Sequence, residues 1–207
     1  KLVLNPFDTT KSYNKFESRN FIESTYSVPK DVLLVGYIGR LVEWKNVDFL
    51  IKCFLEYSKH CDCAVHMLIV GTGRDEYVSA LKKLANTANI TFAGFNNRPN
   101  KIISGFDVLV APSNIEPFGR TLVESMIQKT PIIAARGGGH LEIIKHRTTG
   151  WLYDHGNTDD FIMQINEVIN ECKIVENVVK RAYKYACLKF SSTEHVKNII
   201  NIYNQLR

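Results

Sequence analysis

The feature that most restricts the fold of this chain is a repeated change of hydrophobic period. Six short apolar runs punctuate it: "VLLVGYIG" (32–39), "AVHMLIV" (64–70), "ITFAG" (90–94), "DVLVAPS" (107–113), "PIIAA" (131–135) and "GWLYD" (150–154). The central ones are rich in Val, Ile and Leu and have no wet face, the pattern of strands covered on both sides. Helical spacing fills the gaps. Val47, Leu50, Ile51, Phe54 and Leu55 recur behind Asn46, a candidate cap. Val78 and Leu81, with Leu84 or Ala85, share one face of 75–87, and Pro99 sits early in 98–105, where its missing N–H does least harm. Further helices are expected over 119–129 and from 137. Beyond the last strand, Phe161, Ile165, Val168 and Cys172 share a face, and 177–189 reads as another helix. Ser191 and Glu194 have capping-box spacing at the head of a final one. Strand–helix alternation through short links predicts an α/β, Rossmann-like fold: a doubly wound parallel sheet of about six strands with helices on both faces.

Three segments follow. Residues 1–30 are polar and poorly periodic and read as a connector; 31–190 form the domain; 191–207 form a C-terminal helix. The chain starts at Lys1, and we expect it to be a piece of something longer. Its 207 residues suit one domain. The net charge of +5 is mild and its Lys and Arg are scattered, so no nucleic-acid tract is present; an anionic small ligand or an acidic membrane surface is compatible with it. The five cysteines are odd in number, which argues against a disulfide framework. "CDC" (61–63) lacks the second pair or the histidines of a metal site, so reduced, partly buried thiols are expected. No apolar run reaches the ~18 residues of a transmembrane helix.

Ligands of open parallel sheets bind beyond the carboxyl ends of the strands, which directs attention to the loops there. "GRLVEWKN" (39–46) sets Arg40 and Lys45 between the first strand and its helix. The pair suits a diphosphate clamp, or is plain surface charge. "APSNIEPFGRTLVESM" (111–126) places Glu116 before a helix and Glu124 inside it, with Gly119 and Arg120 at the helix mouth. The unpaired amides of a helix start make an anion site. A carboxylate at each end suits an elongated ligand with hydroxyls at both ends and an anion between, the shape of a nucleotide-sugar. The plainer alternative is that Glu116 serves the helix dipole and Glu124 is solvated. "RGGGHLEII" (136–144) is either a second backbone approach to the ligand or a tight turn, with His140 catalytic or structural. "GTGRDE" (71–76) opens like a dinucleotide fingerprint, but Glu76 stands where its third glycine belongs, and an NAD site is rejected.

"VGYIGRLVEWKNVDFLI", "LIVGTGRDEYVSAL", "ITFAGF", "DVLVAPSNIEPFGRTLVESM" and "PIIAARGGGHLEII" occur in the order typical of one family. The chain resembles the C-terminal half of a family 4 glycosyltransferase of the GT-B fold, with "LVLNPFDTTKSY" similar to its inter-domain connector. The resemblance implies a retaining, metal-independent glycosyltransferase whose donor is a UDP-, GDP- or ADP-sugar and whose acceptor site lies mostly in an N-terminal domain. By position, Arg40 and Lys45 would bind the diphosphate, Glu116 the donor sugar and Glu124 the ribose. Gly39 and the backbone of Phe118, Gly119, Arg120 and Thr121 would line the donor site, Phe95 would meet the base, and Gly138, Gly139 and His140 would border the sugar. It also implies a cytoplasmic location, with contact to the inner membrane face an option. Asn46 and Lys129 stand where glycine is usual, Leu141 where proline is usual, and Arg120 where an aliphatic residue is common. The competing readings are a nucleotide-sugar epimerase of the same fold and a nucleotide-binding module without turnover.

Overall fold

The computed structural model describes residues 4–86 and 89–205. Among the described residues, six strands form one sheet: β1 (Leu33–Ile38), β2 (Val65–Val70), β3 (Ile90–Gly94), β4 (Val108–Ala111), β5 (Ile132–Ala135) and β6 (Trp151–Tyr153). They lie in the order β3-β2-β1-β4-β5-β6, and every neighbouring pair is parallel. All six expected runs are strands, most of them trimmed by a residue or two. The helices are α1 (Lys15–Tyr26), α2 (Val47–His60), α3 (Asp75–Leu84), α4 (Pro99–Gly105), α5 (Arg120–Ile127), α6 (His140–Ile143), α7 (Thr158–Asn170), α8 (Cys172–Lys189) and α9 (Ser192–Gln205).

Successive strand residues point to opposite faces, and both faces are dry. Val35, Tyr37, Met67, Ile69, Val108 and Val110 pack with α2, α3 and α7 on one face. Leu34, Leu68, Val70 and Leu109 pack with α1 and α4 on the other. Farther along that second face, Ile132, Ala134 and Leu152 meet α5, α6 and α8. The chain leaves β1 for β2 on one side and returns as β4 on the other. The loops after β1 and β4 therefore part, and a crevice opens between them at the carboxyl edge.

The structure departs from the sequence reading in several places. The first 30 residues contain α1, which starts where the Asn14 side chain accepts from the Glu17 amide and ends at Ser27 (φ 54°). Only Ser18 and Ile22 of α1 are buried, so its amphipathic signal is weak. It is pinned instead by Arg19, which donates to Gly105 O (3.1 Å), Val32 O (2.6 Å) and Asp107 Oδ2 (2.8 Å). Burial pushes the Asp107 carboxyl up, but Lys15, the Leu34 amide and Arg19 outweigh it and hold it below its ordinary value. Cys172 does not share the α7 face: α7 stops at Asn170, and Cys172 opens α8, exposed. The following helix thus starts five residues earlier than expected. The thiols are not uniformly sheltered either, since Cys63 and Cys172 are exposed. The expected end of the third helix at Thr87 lies outside the described residues, and the expected helix from 137 is a single turn, α6.

Two of the family's glycine positions keep a left-handed backbone with another residue: Asn46 at φ 53° and Lys129 at φ 58°. Lys129 ends α5 two residues sooner than the sequence pattern suggests. The connector is also tied to the other terminus. The Phe7 amide donates to Phe190 O (2.8 Å), and His195 Nδ1 donates to Leu4 O (2.8 Å). α9 buries none of its residues.

Candidate active site

The β1 loop forms one wall of the crevice. The Gly39 amide donates to Val70 O (3.0 Å) and the Leu41 amide to Thr72 O (2.8 Å), which extends the β1–β2 pairing past the strand ends. The buried Tyr37 hydroxyl donates to Arg40 O (2.9 Å) and holds the loop from beneath. A 3₁₀ turn, Glu43–Lys45, then reverses the chain at Asn46. Across the crevice, the Ser113 hydroxyl donates to Trp44 O (3.0 Å), so the loops after β1 and β4 are tied together.

Lys45 crosses the crevice. Its Nζ pairs with Glu116 Oε2 and lies 4.4 Å from the centre of the Trp44 ring. Both partners are mostly shielded from water, which strengthens the attraction between them. Arg40 remains exposed, its guanidinium 5.8 Å from the same ring, and it has no ion-pair partner among the described residues. The two cations that look alike in the sequence are therefore in different states. One is held by a carboxylate, and the other is free to take an anion.

The other wall is the start of α5. Gly119 is its N-cap at φ 91°, a conformation costly to any residue with a side chain. A Cβ there would also lie 3.3 Å from the His140 ring. The amides of Arg120 and Thr121, first in the helix, have no carbonyl one turn back, whereas the Leu122 amide donates to Gly119 O (3.0 Å). Glu124 sits one turn in, 3.6 Å from Arg120 Nη2. Burial raises the Glu124 carboxyl above its ordinary value, against the pull of Arg120. Arg120 also lies 4.8 Å from the centre of the Phe7 ring, so its side chain spans from the connector to the crevice.

The triple glycine packs beneath the Glu116 loop. A Cβ on Gly137, Gly138 or Gly139 would fall 2.4–2.8 Å from atoms of Asn114, Glu116 and Phe118 or Pro117. The Gly139 amide donates to Glu116 O (2.7 Å), so glycine at these positions lets the two loops touch. His140 follows, almost wholly buried. Its Nδ1 donates to Ala135 O (2.9 Å), which leaves Nε2 as an acceptor. Burial, foremost, lowers its basicity and keeps the ring neutral.

Two adjoining cavities result. The inner one is narrow, about 20 Å³ with Lys45 across it, and contains Tyr37, Lys45, Ser113, Glu116, Thr121 and His140 among its lining. The outer cleft, about 330 Å³, includes Gly39, Arg40, Phe95, Arg120, Thr121 and Glu124. Ile38 and Thr121 line both. Of the residues singled out from the sequence, Phe118, Gly119, Gly138 and Gly139 line neither. The Phe118 ring instead stacks on Phe7 and meets Phe190 edge-on. The sequence reading missed Tyr37, Ser113, Thr72 and Asn96. Tyr37 sits at a core-facing position of a strand, so nothing marked it. Asn96 could have been found from its place beside Phe95. Among the described residues, no group of three or more His, Cys, Asp and Glu side chains could hold a metal ion. No helix there is long and apolar enough to cross a membrane.

Fold and crevice together define a doubly wound nucleotide-binding type of domain, with cations, helix amides and two separated carboxylates at its switch point. The family described as "Glycosyl transferases group 1" matches residues 18–185, and the chain belongs to that family. An uncharacterized glycosyltransferase of Methanocaldococcus jannaschii is 29% identical over 97% of this chain and 52% of its own length. The Anabaena HepE protein, solved in complex with UDP-glucose, superposes with a TM-score of 0.89 at 24% identity, over 99% of this chain and 57% of that one. The C-terminal domain of a group 1 family protein from Francisella tularensis superposes with a TM-score of 0.75 at 20% identity, covering 90% of this chain and 99% of that domain. The chain thus spans about half the length of the full-length proteins it resembles.

Proposed function

We propose that this chain is the donor-binding half of a retaining glycosyltransferase, and that its crevice holds a nucleotide-diphospho-sugar. One observation carries the reading: Arg40, Lys45 and the α5 amides converge on a cleft with a shielded carboxylate at each end. The base lies toward Phe95 and Asn96, the ribose hydroxyls bond to Glu124, and the diphosphate lies between Arg40 and the start of α5. The sugar enters the inner cavity beside Glu116 and His140. The Anabaena protein's complex with UDP-glucose supports a donor of this class.

The chemistry follows from the charges. As the glycosidic bond breaks, negative charge builds on the leaving diphosphate, and preorganised cations and amides stabilise it. Lys45 supplies one of them by exchanging part of its contact with Glu116 for a phosphate oxygen. Glu116, released, accepts from sugar hydroxyls and orients the ring. The acceptor hydroxyl then attacks on the face the diphosphate leaves. An N-terminal domain of the parent protein would present that acceptor, so the isolated chain binds donor and transfers little sugar.

Calorimetric titration with UDP, GDP, ADP and their glucose and mannose conjugates tests this. One nucleotide should bind selectively, and Lys45→Ala and Glu124→Ala should each weaken it roughly 10- to 100-fold, the value of a hydrogen bond to a charged group. Binding indifferent to both substitutions would remove the crevice as the donor site.

A further inference from the structure

At the opposite edge of the sheet, α2 ends at His60, and Cys61, Asp62 and Cys63 lead the chain toward β2. This turn is about 20 Å from the donor crevice along a six-residue strand. The Sγ atoms of Cys61 and Cys63 are 3.0 Å apart, closer than two nonbonded sulfurs ordinarily rest. Cys61 Sγ also lies 3.2 Å from the hydroxyl of Tyr57, whose ring is anchored in the core. Cys61 is half-buried and Cys63 is exposed, so the pair is open to solvent from one side. Sugar transfer makes no use of it.

We propose that Cys61 and Cys63 form a thiol–disulfide exchange site whose substrate is a low-molecular-weight disulfide of the oxidised-glutathione type. The Cys61 thiolate attacks one sulfur of the small disulfide. That S–S bond breaks, and the first small thiolate leaves and takes a proton from water. Cys63 then gives up its proton and attacks the Cys61 sulfur, and the second small thiol departs. Two cysteine thiols become one intramolecular disulfide, and one small disulfide becomes two thiols.

The surroundings assign the roles. Burial works to raise the Cys61 thiol, but its hydrogen-bond contacts with Cys63 and Tyr57 hold it below its ordinary value. Cys63 is pushed up to about 11, foremost by its hydrogen bond to Cys61. The first proton therefore leaves Cys61, and Cys63 stays a thiol until the mixed disulfide forms beside it. The anion at Asp62 opposes ionisation of both, so the reactivity depends on the Cys63 and Tyr57 contacts.

The test uses the full chain with oxidised glutathione at neutral pH, an alkylating quench and peptide mass spectrometry. The exposed, unpaired Cys172 serves as internal reference. Cys61 should react about tenfold faster than Cys172, as a thiol of lowered pKa does. The wild-type product should be the Cys61–Cys63 disulfide, and Cys63→Ser should trap glutathione on Cys61. The proposal is overturned if wild-type Cys61 and Cys63 accumulate stable glutathione adducts without closing, or if Cys61 reacts no faster than Cys172.

Discussion

The inner and outer cavities each contain one glutamate of the same sequence motif, and the two are equally shielded, with side chains 16% and 15% exposed. Their electrostatics nonetheless differ. Glu116 has a shielded lysine against it, brought from 71 residues away. Among the described residues, Glu124 has only Arg120 from its own helix, at 3.6 Å and largely in water. The inner carboxylate faces a shielded cation, whereas the outer one bears a cost of burial that Arg120 relieves only in part. A donor would therefore have to break a contact at one end of the crevice and would relieve a penalty at the other.

The largest effect that tests this difference is Lys45→Ala. It leaves Glu116 shielded without its cation, and the chain should lose about 1–3 kcal/mol, less than the ~3–5 of a fully buried pair because both groups retain some solvent. Urea unfolding measures it, and adding Glu116→Gln should restore part of the loss. A neutral Lys45→Ala would reduce the inner pair to a surface contact.

Glu124→Gln should act oppositely on the free chain. A folded-state carboxyl raised above its unfolded value of about 4.3 contributes stability that is lost as pH rises through the folded value. At neutral pH the glutamine variant should accordingly be as stable as wild type or up to about 1 kcal/mol more stable, while its nucleotide affinity falls. A variant that is both destabilised and weaker in binding would mean that Glu124 is a structural partner rather than a strained one.

His140 tests the floor of the inner cavity. Its ring is held neutral, so the unfolded chain takes up a proton on acidification that the fold resists. Stability should fall as pH drops below about 6.5, the unfolded value. His66 and His146 are shifted the same way, so the measurement is the difference between wild type and His140→Asn in melting temperature across that range. Identical pH dependence in the two would remove His140 as the source. Arg120→Ala should give the smallest change. Its exposed ion pair contributes no more than ~0.5 kcal/mol to stability, so thermal unfolding should barely move while Glu124 titrates at a still higher pH by NMR.

Much of this architecture was legible locally. Strand runs with no polar face can only be doubly covered, and short links between strand and helix force a parallel order. The positive φ of Asn46 and Lys129 was foreseeable because both stand at positions where the family uses glycine. The opening helix was not legible, since α1 turns only Ser18 and Ile22 inward and relies on the reach of Arg19 to three separate partners. The boundary at residues 170–172 was lost because Cys172 falls at the right spacing for α7 without belonging to it.

The sequence by itself determined the six strands, the helices between them and which loops lie at the carboxyl edge of the sheet, because hydrophobic period and link length act within a short window. Only the tertiary structure decided that Lys45 meets Glu116 while Arg40 stays free, that the Phe118 ring turns to Phe7 and Phe190, and that His140 is buried as a neutral acceptor. Each of these depends on which loops the topology brings together across tens of residues. Charge and burial, unlike period, have no meaning until those loops have met.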